Sequence, residues 1–364
     1  MPGRHLRRGR GSVLRAILVV VAVLAVGAGL GAGGSLLLEE RAGDERTDVR
    51  GGDATGTAAL VPDPGPITIA LVGDISPGWA LTDRLGGPPE DLVGPIADVL
   101  RAADLAVANV DAPIVTDPDE TEVAAAPPEV LDALAASGVD VVSVANDRSL
   151  DLGPGGVYEL LAADEGLGVI VGVGADETDA YRPFVREVGG HTVAVIAATQ
   201  LLDPDRIATD TAGPDQAGVA SAKRVDRLVA EVEAARSEAD TVVVYVHWGT
   251  AGESCPGPGQ QELAAALVAA GADVVAGPGA GSLQGAGRVG SAAVAYGLGR
   301  FLADDPTDPR SGILLVQVDG RDVLDIEWVP AVRSAGVPEA LEGSEARAAV
   351  AEWDGLRECT DLDP

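Results

Sequence analysis

Lysine is almost missing from this 364-residue chain: Lys223 is the only one, and arginine carries nearly all of the positive charge. Acidic side chains far outnumber basic ones, leaving a formal charge of −32. Such a chain repels nucleic acid and anionic lipid surfaces, so neither is expected as a partner. Aromatic residues make up 3% of the sequence, and the core therefore has to be built from Val, Ala, Leu and Ile. Cysteine is limited to Cys255 and Cys359, and neither belongs to a CxxC pair. Outside the cytoplasm two such cysteines favour one disulfide, which would staple the C-terminal tail to a loop of the main domain. Closing so long a loop contributes roughly 4–5 kcal/mol in the chain-entropy account; two buried free thiols are the alternative. No internal repeat is evident. The glycine-rich run 277–281 carries no GK[ST] and is not a phosphate loop. The acidic loop with Asp117, Asp119, Glu120 and Glu122 lacks the glycine and the terminal glutamate of an EF-hand.

The amino end, residues 1–15, carries Arg4, Arg7, Arg8, Arg10 and Arg15 and no acid. Residues 16–38 carry no charge at all, and Glu39-Glu40 close the run. That is long enough to cross a bilayer as one transmembrane helix. Arginine on the leading side keeps that side cytoplasmic, so the expected arrangement is a single-pass anchor in the cell membrane with the main domain extracytoplasmic. The glycine-rich end of the run, Gly27 to Gly34, leaves a cleaved signal peptide as the alternative. Residues 39–66 are charged, rich in Gly and Pro and without period, and read as a flexible linker.

At Ile67 the texture changes. Apolar runs predict strands at 67–72, 105–108, from 141, 169–171, 191–198, 241–246, 274–276, 292–296, 313–318 and 323–328. Helical spacing predicts helices at 91–103, 128–137, 157–165, 221–236 and 260–270. The alternation argues an α/β fold over 67–330, and the closely spaced last strands argue an antiparallel portion. Residues 331–364 are expected as a tail packed back on that domain. His191 follows Gly189-Gly190 and reads as an exposed turn residue, while Asp151 reads as a turn former.

Several strands end in polar residues, and in α/β sheets the carboxyl ends of strands are where ligands sit. The ends are Gly73-Asp74, Asn109-Val110-Asp111, Ala145-Asn146-Asp147-Arg148, His247-Trp248-Gly249 and Gly277-Pro278-Gly279-Ala280-Gly281. In order and spacing they resemble the CapA family, associated with poly-γ-glutamate capsule biosynthesis. The YGLGRF run at 296–301 adds to the likeness. The resemblance implies a four-layer α/β/β/α sandwich similar to calcineurin-like metallophosphoesterases, with metal ligands on loops at the strand ends. It also implies a cell-envelope polymer or capsule-synthesis membrane proteins as partners.

The chain departs from that family at four places. Asp111 stands where a glutamate is usual, Asp147-Arg148 where the family has Asn-His, Gly279-Ala280-Gly281 where it has His-Pro-His, and Arg300 where it has Asn. The metal ligands that remain are Asp74, Asp111, Asp147 and His247. They are too few for a two-metal hydrolytic site but enough for one divalent ion. A guanidinium forms bidentate bonds with carboxylates and repels a cation. The expectation is therefore that Arg148 and Arg300 neutralise the three acids, leaving no metal and a non-catalytic scaffold or polymer-binding protein. Asn109 and Asn146 would line the same site. The alternative is an active single-metal hydrolase or ligase-like enzyme using Asp74, Asp111, Asp147 and His247.

Overall fold

A computed structural model describes residues 64–364 apart from 165 and 166. The basic segment, the expected transmembrane run and nearly all of the linker lie outside the described residues. Among the described residues, no helix is long and apolar enough to cross a membrane.

The first half lays down parallel strands β1 (Ile67–Ile75), β2 (Leu105–Val110), β3 (Val141–Ser143) and β4 (Ile170–Val171). Between them run helices α1 (Trp79–Leu85), α2 (Ala97–Ala102), α3 (Glu129–Ala136) and α4 (Pro154–Ala163). A short β5 (Val173–Gly174) and α5 (Glu177–Tyr181) lead to the hairpin β6 (Phe184–Val188) and β7 (His191–Thr199). After α6 (Ile207–Asp210), β8 (Gly218–Val219) pairs with β5. Helix α7 (Val225–Glu238), β9 (Thr241–His247), α8 (Pro258–Ala270) and β10 (Val274–Ala276) continue the alternation. The end of the chain is mostly strand: β11 (Ala286–Val289), β12 (Ala292–Ala295), β13 (Arg300–Leu302), β14 (Arg310–Asp319), β15 (Asp322–Ser334) and β16 (Val337–Ala340), then α9 (Gly343–Gly355).

Two large sheets result, one in the order β16-β15-β14-β1-β2-β3-β4 with β13 also on β1, the other β11-β12-β10-β9-β7-β6. They pack face to face. Leu71 and Val107 of the first sheet share a core with Val195, Val243 and Val274 of the second. The opposite face of the first sheet, including Val72 and Ala108, packs on Leu100, Leu131 and Leu160 of helices α2, α3 and α4. The outer face of the second, including Ile196 and Val244, packs on Leu228 and Val232 of α7 and Leu263 and Leu267 of α8. The layers are therefore α/β/β/α. Both faces of β1 and β9 are covered, which is why their sequences are unbroken apolar runs instead of alternating ones.

Three expectations are corrected or sharpened. The helix expected over 91–103 survives only as α2, because Pro89, Gly94 and Pro95 break the ladder into two short 3-10 turns. His191 is buried, 4% exposed, with Nε2 3.0 Å from the Gly65 carbonyl and 3.5 Å from Asp319. The chain entering β1 and the end of β14 cover it. The C-terminal segment carries its own elements: β15 runs on to Ser334, and α9 brings Trp353 onto Trp328 with ring centroids 5.3 Å apart. The Cys255–Cys359 disulfide is present, with Cα atoms 5.7 Å apart, and joins this segment to the loop before α8.

Candidate cation site at the strand ends

The site forms where β1 and β2 of one sheet face β9 of the other. The Tyr245 hydroxyl donates to the Val72 carbonyl across the sandwich. That bond ties β9 to β1 two residues before His247 and Asp74. His247 shares the inner face of Tyr245, and a register shift in β1 between Leu71 and Asp74 breaks the alternation that would otherwise put Asp74 on the outer face with Val72. Asp74 and His247 are thereby brought into the same gap. At its end β1 is flanked on both sides, Asp74 being in register with Asn109 of β2 and Arg300 of β13. Asp111 follows β2, its N–H donating to the Ile75 carbonyl at 2.9 Å.

Asn109 and Asn146 do not line the cavity; they hold its walls. The Asn109 amide donates to Asp74 Oδ1 at 2.7 Å. Asn146 donates to Asn109 Oδ1 at 3.2 Å and to the Val110 carbonyl at 2.8 Å. Its own oxygen accepts from the backbone N–H groups of Arg148 at 3.0 Å and Ser149 at 2.9 Å. This shapes the turn that presents Asp147. Each polar atom of the two buried amides has a protein partner that fixes its position.

His247 is 3% exposed and sits between three acids. Its Nε2 lies 3.6 Å from Asp74 Oδ1 and 3.8 Å from Asp111 Oδ1, and its Nδ1 lies 3.4 Å from Asp147 Oδ1. These are longer than hydrogen bonds. Both ring nitrogens and Asp111 Oδ1 are buried without a hydrogen-bond partner. Burial pulls the His247 pKa down, but Asp74, with help from Asp111 and Asp147, outweighs it and lifts the imidazole to about 9. Burial and the neighbouring Asp74 push Asp111 up to about 7, against the pull of His247 and Arg148.

Neither arginine pairs with these acids. Arg148 Nε is 3.8 Å from Asp151, which also holds Arg206 at 2.7 Å. Arg300 is paired with Asp305. The expectation that the two guanidinium groups neutralise Asp74, Asp111 and Asp147 is corrected: each has a carboxylate three or five residues away in sequence, and the local partner takes it. Both arginines nonetheless line the same cavity of about 430 Å³ as the three acids and His247. The sequence reading missed Lys223, Asp203 and Gln200 on that wall. Lys223 was detectable only by its rarity. At 279 and 281 no side chain enters. A Cβ on Gly279 would lie 2.4 Å from the Trp248 carbonyl oxygen, and one on Gly281 would lie 2.9 Å from Arg300 Cζ.

Asp74, Asp111 and His247 each offer a donor atom within 4.8 Å of the others'. Donors about 2.0–2.3 Å from one shared cation sit roughly 3–3.8 Å apart. The His247 spacings fall in that range, so the three residues fit one divalent ion. With glycine at 279 and 281 there is no imidazole for a second.

Comparison with known proteins decides the family. The description of bacterial capsule synthesis protein PGA_cap matches residues 68–305. The chain belongs to that family. Among its relatives, the capsule biosynthesis protein CapA of Bacillus anthracis is 28% identical over 292 residues, covering 76% of this chain and 69% of that protein. The PGA biosynthesis protein CapA of Bacillus subtilis is 26% identical over 262 residues, covering 69% and 67%. A phosphatase structure from Mycoplasma pneumoniae overlays with a TM-score of 0.49 and 11% identity, covering 74% of this chain and 94% of that one.

Proposed function

We propose that this protein serves the biosynthesis of an anionic cell-envelope polymer of the poly-γ-glutamate type, with one divalent cation held by Asp74, Asp111 and His247. The observation that carries the reading is the buried, unpartnered state of Asp111 Oδ1 and both His247 nitrogens. Buried polar atoms without partners are costly and rare; a cation on the Nε2 side would satisfy Asp111 Oδ1 and Nε2 together, leaving Nδ1 facing Asp147. A metal-free scaffold would need Arg148 and Arg300 on the acids, and both are paired elsewhere.

When bound, such an ion supplies Lewis-acid charge to an oxygen of the substrate. The chain's own residues do the rest. Asn109 fixes the Asp74 carboxylate, and the Asn146 turn sets Asp147 opposite Nδ1 of His247. The Asp147 side chain is 48% exposed, so it holds the solvent side of the ring. The proposal includes a membrane anchor at 16–38 with the folded domain outside the cytoplasm. The arginine-led, charge-free run supports it, as does the Cys255–Cys359 disulfide, a bond that persists in oxidising compartments.

The test is complementation of a capsule-producing bacterium that has lost its own PGA_cap protein. Wild type should restore cell-associated polymer, and His247→Ala and Asp111→Ala, expressed to the same level, should not. Full restoration by both variants would refute a working cation site.

A further inference from the structure

We propose that Arg148, Lys223 and Arg300 form an oxyanion-binding subsite beside the cation centre, taking a carboxylate or phosphate group of the substrate. The inference rests on the cation reading above and adds the chemistry of what docks there. All three line one cavity, and Lys223 is the only lysine of the chain.

Each is positioned by the fold. The segment before Lys223 is bonded to the end of β7, with Ala222 N–H on the Thr199 carbonyl at 2.7 Å, and Thr199 is in register with His247. Lys223 therefore leaves the chain at the same sheet edge as His247. It is exposed and makes no ion pair or side-chain hydrogen bond among the described residues. Arg148 meets Asp151 only through Nε, leaving its terminal nitrogens unpaired, and its side chain is 45% exposed. Arg300 is more firmly held. Asp305 pairs with it, and the Asp305 loop is in turn anchored by Arg333, 7% exposed, which donates to the Asp305 carbonyl at 3.0 Å and to the Asp308 carbonyl. The guanidinium fills the space a side chain at 281 would need.

Charge sets the order of events. The cavity wall carries the three site acids and Asp203 against these three permanent cations. Counting wall side chains only, a divalent ion would turn that balance from −1 to +1, with Asp151 and Asp305 behind the two arginines offsetting part of it, inside a chain whose formal charge is −32. An anion is drawn to that spot and repelled by the rest of the surface. Cation and anion should accordingly bind with positive coupling, each raising the affinity of the other by the same factor.

The experiment is calorimetric titration of the full-length protein with two probes, a γ-linked glutamate trimer and inorganic phosphate, each with and without saturating Mn²⁺. At least one probe should bind more tightly with Mn²⁺ present, and the tighter of the two identifies the group recognised. Lys223→Gln and Arg148→Gln should each weaken it at least tenfold while leaving Mn²⁺ stoichiometry unchanged, and Lys223→Arg should retain it. Arg300→Gln should do the same if its loop stays folded; the two exposed substitutions decide the matter without it. Failure of both probes to bind the Mn²⁺-loaded protein, or affinities in Lys223→Gln and Arg148→Gln within twofold of wild type, would overturn the subsite. Anion binding that needs Lys223 and Arg148 in a protein that takes up no Mn²⁺ would support the subsite and sink the cation centre.

Discussion

Replacing Gly281 by alanine tests how the site came to have room for Arg300. Gly281 has φ +69°, and a Cβ there would lie 2.9 Å from Arg300 Cζ and 3.0 Å from Nη1. The left-handed backbone costs an alanine about 1–2 kcal/mol. Displacing the guanidinium from Asp305, a partly exposed pair, costs roughly another 0.5–1 kcal/mol. Gly281→Ala should therefore destabilise the protein by about 2 kcal/mol, or about 4 °C in Tm for a domain of this size. Arg300→Asn alone loses the pair, roughly 0.5–1 kcal/mol. In the double variant the clash has no partner, so the total should fall short of the sum by at least about 0.5 kcal/mol, as expected for residues in contact. Gly279→Ala is the internal control. Its Cβ would meet the Trp248 backbone, at φ +117°, and Arg300→Asn should not rescue it. Urea unfolding of the four proteins reads the cycle. Strict additivity at 281 would refute the claim that guanidinium and missing side chain share one space.

Three further outcomes follow from the same geometry. Reducing Cys255–Cys359, which closes a span of 104 residues, should lower stability by up to about 4–5 kcal/mol, seen as a fall of several degrees in Tm with reductant; no change would mean that α9 and the Trp328–Trp353 stack hold the tail alone. Asn146→Ala removes the bond to the Val110 carbonyl and the acceptor for the turn at Arg148 and Ser149, and should cost about 2–4 kcal/mol by thermal unfolding. An exposed-residue effect below about 0.5 kcal/mol would contradict its role as the wall of the site. Cation affinity should rise with pH, because a cation needs His247 neutral and Asp111 ionised. With His247 lifted to about 9 and Asp111 to about 7, the gain should be about tenfold per pH unit between pH 7 and 9, steeper below 7 and flat above 9. A pH-independent affinity over that range would contradict the placement of those two groups.

What the sequence made readable was whatever depends on neighbours in the chain. The run Thr241–Val246 could only be a strand buried on both faces, and its polar end, His247, lands in the site. Asp74 and Asp111 were found the same way, as the first acids after β1 begins to end and after β2. What escaped reading depends on partners chosen in space. In a chain this rich in acid, a guanidinium has many carboxylates to choose from, so no spacing rule says that Arg148 takes Asp151 and Arg300 takes Asp305. Asn109 and Asn146 were expected to line the site because they stand at strand ends; only the hydrogen-bond directions reveal them as supports. His191 was misread because its cover comes from the chain before β1 and the end of β14, each more than a hundred residues away. Helix α9 went unread because most of its surface is polar and it buries little beyond Trp353.

The most direct measurement is the number of cations the protein holds. Full-length wild type, exhaustively exchanged and then titrated with Mn²⁺, should bind one ion per chain by elemental analysis and calorimetry, and His247→Ala and Asp111→Ala should bind none at the same concentration. Two ions per chain would mean that the glycines at 279 and 281 do not remove a site. No ion in wild type would mean that the three buried donors are satisfied without metal, and the account would fail.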